Sequence, residues 1–310
     1  MIGSLTVNDG GLFTTIQDGG RSGYRKYGIP VSGAMDTHSW KLANWLAGNP
    51  LDTPILEMTL KGGVYEFNSQ AVIAIAGAEM KPEINGEKAP MYKTIQVQHG
   101  DKLQLGYCRK GCRSYLAIQG KWEIDKMMGS YSTYTPGVFG GLKGRVFKKG
   151  DRLQWQSAKF KGDREIDRKL IPHFASSNTL RVIKGPEFDW MNPQEQKQFL
   201  GMTYMVSAES NRMGIRLKGE EKLEVSSRQM SSSATLPGVV QLPQSGHPVI
   251  LGKDGQTVGG YPRIAKVVEA DMWRVGQLPP SSYVGFKLID IEEAKALKEY
   301  QQALYRENLK

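Results

Sequence analysis

Short runs of apolar residues, bounded by Gly, Asp, Asn or Pro, recur along the whole sequence. This spacing is typical of short β-strands joined by turns. The most apolar stretch, Ala71 to Ala78, is far shorter than the roughly 20 residues needed to cross a bilayer, and it predicts a buried strand. Similar runs predict strands at Tyr115 to Ile118, Leu180 to Ile183, Ile215 to Leu217, Val249 to Leu251 and Ile264 to Val268.

The segment TIQVQHGDKLQLG shows the alternation most clearly. Ile95 and Val97 alternate with polar residues, His99-Gly100-Asp101 supplies turn chemistry, and Leu103 and Leu105 resume the alternation. Apolar residues two apart lie on one face of a strand. The segment therefore predicts a β-hairpin with one buried face.

Capping signals predict three helices on this β-rich background. The first begins after Asp36 and ends at Gly48, the second begins after Asn192 and ends at Gly201, and the third begins after Asp290. Each starts with a residue whose side chain accepts hydrogen bonds from free amides of the first turn. The third helix carries Ile291, Leu297, Tyr300 and Leu304 along one side, which is expected to pack on a barrel or on a partner.

Residues 159–178 are charged and lack periodicity, which marks them as a domain boundary. The many short strands on each side favour closed or nearly closed barrels, because closure removes exposed strand edges. A hydrophobic content of 39% over 310 residues is enough to bury a substantial core.

The formal charge of +10 favours an acidic partner, a phosphate or a carboxylate. Because Lys and Arg are scattered among Asp and Glu, we expect neither nucleic acid nor a membrane as a partner. The first residues, MIGSLTVNDGGLFTT, lack the pattern of a signal peptide, so we expect a cytoplasmic protein.

The two cysteines, Cys108 and Cys112, lack the further ligands of a structural zinc site, although a redox pair remains an alternative. The four histidines are far apart, so no metal site is predicted. The chain also lacks a P-loop, a dinucleotide-binding GxGxxG and a GxSxG nucleophile elbow.

Three polar clusters are candidates for chemistry. The first lies within Thr14 to Asp36, where glycines permit close approach to a ligand and Gln17, Asp18 and Arg21 offer polar groups. Arg21 could hold a carboxylate or phosphate through two parallel hydrogen bonds. In the alternative interpretation, Asp18 and Arg21 neutralise each other within a tight loop.

The second cluster is AESNRMGIRLKGE, in which Arg212 and Arg216 lie four residues apart and would share one face of a regular strand. They would then need an anion between them or exposure to water. The third cluster runs from Leu236 to Arg263, where amide, carboxylate and hydroxyl groups could recognise a small polar ring. It could equally be an ordinary hairpin around Lys253-Asp254-Gly255.

Together, these clusters resemble the KipA-like family, also known as allophanate hydrolase subunit 2 or the C subunit of 5-oxoprolinase. The resemblance rests on TTIQDGGRSGYRKYGIPVSGAMD, ANWLAGNP with Glu57 downstream, SNRMGIRL and PGVVQLPQSGHPVILGKDGQTVGGYPRIAKV, in that order. It implies a mainly β fold of two cyclophilin-like β-barrel subdomains with a few short helices. The expected divisions are a β-rich subdomain at 1–165, a barrel at 166–290 and a C-terminal helix at 291–310.

The resemblance further implies one component of an ATP-dependent complex that opens 5-oxoproline to L-glutamate, inactive without its KipI-like and LamB/YcsF-like partner subunits. ATP with Mg²⁺ would be the co-substrate. The same architecture occurs in biotin-dependent urea or amide carboxyltransferases, and biotin would be the cofactor in that alternative. A third alternative is a KipA-like regulator that antagonises a KipI-like kinase inhibitor.

Under the 5-oxoprolinase interpretation, Arg21 and Arg212 would contact an anion, Gln17 and Gln241 would recognise the amide, and Asp18 or Asp254 would transfer or position a proton. We expect the three clusters to line a common cavity. The remaining candidates for substrate binding are Gly33, Ser210, Asn211, Thr257, Gly259, Gly260 and Tyr261.

Overall fold

The computed structural model describes residues 2–159, 162–224, 228 and 230–309. The chain divides into two compact units. The first unit comprises residues 1–22 and 32–174, and the second comprises residues 23–31 and 175–310.

The described residues form strands and helices with the following bounds: β1 Ile2–Asp9, β2 Phe13–Gln17, α1 Thr37–Leu46, β3 Ile55–Thr59, β4 Val64–Phe67, β5 Ala71–Gly77, β6 Glu83–Ile84, β7 Glu87–Lys88, β8 Thr94–Val97, β9 Lys102–Gln104, β10 Arg113–Ile118, β11 Lys121–Trp122, β12 Arg152–Gln156, β13 Ser177–Lys184, α2 Pro193–Gly201, β14 Tyr204–Val206, β15 Gly214–Lys218, β16 Ser233–Ala234, β17 Val239–Gln241, β18 Val249–Leu251, β19 Val258–Gly259, β20 Arg263–Val267, α3 Met272–Val275, β21 Tyr283–Leu288 and α4 Ile291–Asn308.

The first unit contains two β-sheets with a shared apolar core. One sheet has the order β11-β12-β1-β4-β9-β6-β7, and the other has the order β2-β3-β10-β5-β8. Leu5 and Phe67 of the first sheet belong to the same buried cluster as Ile75 and Leu116 of the second. Burial of these side chains on both sheets is the main source of stability for this arrangement.

The predicted hairpin between Ile95 and Leu105 is wrong. Strand β8 pairs with β5, whereas β9 pairs with β4 and β6, so the turn between them connects the two different sheets. Both strands do bury alternate residues, as Ile95, Val97 and Leu103 show. Alternation fixes which face of a strand is buried, but it does not identify the neighbouring strand.

The second unit is a closed barrel with the strand order β13-β20-β17-β18-β15-β14-β21. Strands β13 and β21 pair in parallel, and the other neighbours in the barrel are antiparallel. The barrel interior contains Leu180, Val206, Ile215, Val240, Ile250 and Val284. The prediction of a mainly β fold with barrel closure and a few helices is confirmed.

The capping signals place the helices correctly. Asp36 accepts hydrogen bonds from the amides of His38 and Ser39, and Asn192 forms a reciprocal capping box with Glu195. Asp290 accepts from the amide of Glu293 at the start of α4. Across the described residues, no helix combines the length and the hydropathy needed to cross a bilayer.

Part of the predicted packing side of α4 contacts the barrel unit. Ala294 and Leu297 pack against a small cluster formed by Val268, Ala270 and Ile289. In contrast, Ile291 and Tyr300 are 57% and 65% exposed. The helix therefore contacts the barrel unit along a narrower stripe than its apolar residues suggested.

The structural division differs from the predicted boundaries at 165 and 290. Residues 166–174 cluster with the first unit, and α4 clusters with the second. The amide of Ile166 donates to the carbonyl of Tyr92, and His38 Nε2 lies 2.8 Å from the carbonyl oxygen of Leu170. These bonds join the charged segment to the first unit, although its sequence resembles a linker.

Candidate functional site

A cavity of about 450 Å³ lies on the outer face of the barrel in the second unit. Strand alternation creates it, because Ile215, Val240 and Ile250 face the apolar core. The intervening positions face the opposite side, where Gly214, Arg216, Lys218, Gln241, Val249 and Leu251 line the cavity. Loops on either side add Ser207, Glu209, Asn211, Met213, Pro243, Ser245, His247, Pro248, Gln256 and Tyr261.

Gln241, at the end of β17, supplies a buried amide to this cavity. The residue is only 2% exposed, and its Oε1 accepts a 3.3 Å hydrogen bond from Nε2 of Gln256. Its Nε2 has no hydrogen-bond partner among the described residues. A buried donor without a partner costs about 1–3 kcal/mol, so this nitrogen is suited to bind a ligand oxygen.

Gly259 allows the two glutamine side chains to approach. A Cβ atom at this position would lie 2.6 Å from Nε2 of Gln256 and 2.8 Å from Nε2 of Gln241. Gly259 belongs to β19, which pairs with β16 through Ser233. Gly259, which the sequence offered as a candidate for substrate binding, therefore makes room for two amide side chains.

His247 was not predicted as a site residue, because the four histidines are far apart and match no metal-binding motif. Its Nδ1 is buried and has no hydrogen-bond partner among the described residues. In the β17–β18 pair, Gln241 lies opposite Val249, two residues after His247. The short spacing between Gln241 and Val249 could have indicated this position, because it predicts a hairpin that places the side chains of Gln241 and His247 at the same end.

Arg212 and Asp254 form a buried ion pair beside the cavity. Arg212 Nε and Nη2 donate to the two carboxylate oxygens of Asp254 at 2.8 and 3.1 Å. The amide of Asp254 also donates to the carbonyl of Arg212. The pair joins the loop that carries Asn211 and Met213 to the turn after β18, so both charged residues are placed to support the cavity wall.

The expectation that Arg212 and Arg216 share one face is wrong. Strand β15 begins at Gly214, so Arg212 lies in the preceding loop, outside the alternation of the strand. The side chain of Arg212 is 6% exposed, whereas that of Arg216 is 59% exposed and lies 4.0 Å from Glu209.

The remaining candidates of the second unit have different positions. Asn211 and Tyr261 line the cavity directly. Ser210 Oγ accepts from the amide of Arg216, which ties the loop to β15. Thr257 is buried, and its carbonyl accepts a hydrogen bond from the amide of Thr235. Gly260 is exposed and follows β19.

Arg25, from the segment 23–31, is connected to the same group of side chains. Its guanidinium donates to the carbonyl of Thr235, whose Oγ1 donates to the carbonyl of Gln256 at 2.6 Å. Gln256 in turn contacts Gln241 through its side chain. Burial lowers the pKa of Arg25, although an arginine remains charged near neutral pH.

In the first unit, Asp18 is held by four hydrogen bonds. Its carboxylate accepts from the hydroxyls of Ser130 and Ser132 at 2.6 and 2.5 Å, from the amide of Tyr131 at 2.7 Å and from the amide of Gly20 at 2.8 Å. Asp18 is 6% exposed. This arrangement fixes residues 130–132 against the loop that follows β2.

Arg21, Gln17 and Gly33 surround Asp18 in the same buried region. Arg21 is 1% exposed, donates to the carbonyl of Ser132 and lies with its guanidinium carbon 4.9 Å from the ring centre of Phe139. Gln17 Oε1 accepts from the amide of Gly33. Gly33 has a φ of +93°, and a Cβ there would lie 3.0 Å from the carbonyl oxygen of Asp18.

The structure thus brings the second and third sequence clusters together at one cavity of the barrel unit. The first cluster is divided between the units: Gln17, Asp18, Arg21 and Gly33 belong to the first unit, where Asp18 and Arg21 both bind Ser132, whereas residues 23–31 belong to the second. Cys108 and Cys112 are not joined in a disulfide, and burial raises the pKa of both thiols, that of Cys108 to about 11. Such thiols are largely protonated near neutral pH and are weak nucleophiles.

Residues 27–288 match the family model described as carboxyltransferase domain, subdomain A and B. The chain therefore belongs to this family of carboxyltransferase domains. A relative in Escherichia coli strain K12, the C subunit of 5-oxoprolinase, is 36% identical over 98% of this chain and 97% of its own length. The Saccharomyces cerevisiae urea amidolyase is 37% identical over 94% of this chain, which spans 17% of that relative.

A solved structure supports the same relationship. The urea amidolyase of Kluyveromyces lactis is 31% identical, with a TM-score of 0.91 over 99% of this chain and 20% of the larger protein. The fold described here thus occurs both as a separate chain and as a part of much longer enzymes.

Proposed function

We propose that this chain is the C subunit of a 5-oxoprolinase that converts 5-oxoproline to L-glutamate. The Escherichia coli relative, itself named as the C subunit of 5-oxoprolinase, matches it over nearly the whole length of both chains. A second relative of that name, from Haemophilus influenzae, is 31% identical over 92% of this chain and 91% of its own. Both relatives are separate chains of similar length, in contrast to the long urea amidolyases.

The single observation that carries this proposal is the buried Nε2 of Gln241 in the barrel cavity. An amide N–H without a partner beside a cavity suits a carbonyl oxygen, and the side chains of Arg216 and Lys218 on the same wall suit a carboxylate. 5-Oxoproline carries both groups. Amide resonance makes the carbonyl of a lactam a poor electrophile, and a donor on its oxygen stabilises the negative charge that develops when the ring is attacked.

The residues of this cavity do not fit ATP with Mg²⁺. Among the described residues that line it, Glu209 is the sole carboxylate, and it already lies 4.0 Å from Arg216. Magnesium sites in phosphotransfer enzymes need carboxylate oxygens beside the phosphates. We therefore assign ATP hydrolysis to the partners, a KipI-like B subunit and a LamB/YcsF-like A subunit, in a cytoplasmic complex without which this chain is inactive.

The urea amidolyase relatives favour a second candidate, a carboxyltransferase that takes a carboxyl group from biotin. The Nε2 of Gln241 fits a ureido carbonyl as well as a lactam carbonyl, so the same residue would hold the ureido ring. Biotin, when bound, would supply the carboxyl group. In this candidate, a biotinylated carrier protein would co-purify with the chain and be detected by streptavidin blotting.

The test is co-expression with both proposed partners, followed by measurement of glutamate formed from 5-oxoproline with and without ATP. We expect glutamate only when ATP and all three chains are present. Gln241→Met removes the amide while keeping a side chain of similar length, and Gln244→Met is the matched control because Gln244 is exposed and does not line the cavity.

We expect Gln241→Met to raise the KM for 5-oxoproline by roughly 5- to 100-fold, and Gln244→Met to leave it unchanged. Glutamate formation that persists without this chain would refute the proposed function. It would leave the carboxyltransferase and the KipA-like regulator as the alternatives to pursue.

A further inference from the structure

His247 is the second polar side chain in the barrel cavity with a buried atom that lacks a partner. Its Nδ1 and the Nε2 of Gln241 are both without a hydrogen-bond partner within the described part of the chain, and both residues line the same cavity. Two buried polar atoms in one small cavity would be costly unless a ligand pairs with them.

The two atoms have complementary chemistry. The Nε2 of a glutamine side chain can only donate, whereas the ring nitrogen of a neutral histidine that carries no proton accepts. A ligand that satisfies both must present an acceptor and a donor on one edge. An amide within a small ring does this, because ring closure holds the carbonyl and the N–H on the same side.

We propose that His247 Nδ1 accepts the ring N–H of a cyclic amide while Gln241 Nε2 donates to its carbonyl oxygen. This inference rests on the proposed function, which it deepens by naming the group that distinguishes a lactam from other small rings. Gln241 ends β17 opposite Val249, and the chain between them carries His247 back to the start of β18. The hairpin therefore supplies both halves of the contact.

The proposal predicts discrimination against the corresponding lactone, in which a ring oxygen replaces the N–H. The lactone keeps the carbonyl and the carboxylate but cannot donate to His247, and its ring oxygen would face an acceptor. A site with an unpaired buried polar atom rejects such an analogue. We expect the wild-type protein to bind 5-oxoproline roughly 5- to 100-fold more tightly than the lactone.

The experiment measures the affinity of the assembled three-chain complex, without ATP, for 5-oxoproline and for the lactone by calorimetry. His247→Ala is expected to bring the ratio of the two affinities close to one. His247→Asn places an amide oxygen near the position of Nδ1 and is expected to restore part of the preference. His99→Ala, at an exposed site in the first unit, is the matched control.

If His247 had only a structural role, His247→Ala would weaken the binding of both ligands alike and leave the ratio of their affinities unchanged. That result would overturn the proposal. Failure of the proposed function gives a different result. Glutamate formation would then be independent of this chain, whereas a lactam preference that depends on His247 would still support the contact. Binding of neither ring while chain-dependent turnover persists would overturn the inference alone.

Discussion

Removing one partner of the buried pair Arg212–Asp254 tests how the cavity wall is supported. The two side chains are 6% and 3% exposed, and hydrogen bonds of 2.8 and 3.1 Å join them. Asp254→Asn removes the carboxylate charge that faces the guanidinium in a poorly solvated position. Breaking a buried pair in this way costs about 3–5 kcal/mol in the free energy of unfolding.

The double variant Arg212→Met with Asp254→Asn distinguishes the contribution of the ion pair to stability from the contribution of side-chain packing. Once both charges are absent, neither is left buried without compensation, so we expect the double variant to be less destabilised than the sum of the single variants by about 1–3 kcal/mol. Lys295→Gln is the control, because it removes a pair with Glu292 whose side chains are 63% and 82% exposed. Such exposed pairs contribute little to stability.

Urea denaturation, followed by hydrogen exchange in peptides from the barrel, measures the free energy of unfolding of the second unit separately from that of the first. This separation matters because unfolding of a chain with two units need not be two-state. A cost below about 1 kcal/mol for Asp254→Asn, or single variants whose costs simply add, would refute the inference that this pair fastens the loop of Asn211 to the barrel.

Three further outcomes are expected. Gly259→Ala should displace the amides of Gln241 and Gln256, because the new Cβ would lie 2.8 and 2.6 Å from them, and ligand titration should show weaker binding with an unchanged fold. Asp18→Ala should lower the free energy of unfolding of the first unit by about 3 kcal/mol or more, since its hydroxyl and amide donors lose their shared acceptor; urea denaturation with hydrogen exchange checks this, and a change below about 1 kcal/mol would contradict it. Arg263 holds the pKa of Glu187 below its ordinary value, so the stability from this pair is present above the unfolded pKa and is lost as pH falls through the folded pKa. The urea midpoints of the wild type and of Glu187→Gln should therefore converge at acidic pH. A difference between the two midpoints that stays constant with pH would contradict the coupling of stability to protonation of Glu187.

The sequence predicted local structure well because local rules decide it. The residues Asp36, Asn192 and Asp290 cap their helices as expected, since each cap depends on only a few neighbouring residues. The hairpin at Ile95 to Leu105 failed because strand partners depend on distant residues, and the same alternation fits a turn between two sheets.

The candidate site was predictable in part. Asn211, Gln241 and Tyr261 were chosen from motif chemistry and do line one cavity. His247 was missed because an isolated histidine gives no motif, and its significance arises only from the missing partner of Nδ1 among the described residues. Likewise, sequence could not show that Arg212 would be neutralised by Asp254, since 42 positions separate them along the chain.

The segment 23–31 has a consequence for any attempt to separate the two units. The chain passes from one unit to the other after residues 22, 31 and 174, so a single cut at 174 yields a carboxyl-terminal fragment without Arg25. The guanidinium that holds the carbonyl of Thr235 would remain on the other fragment. Limited proteolysis at that point should therefore produce a nicked protein whose fragments stay associated, and a barrel made from residue 175 onward should lack part of the support for its glutamine pair.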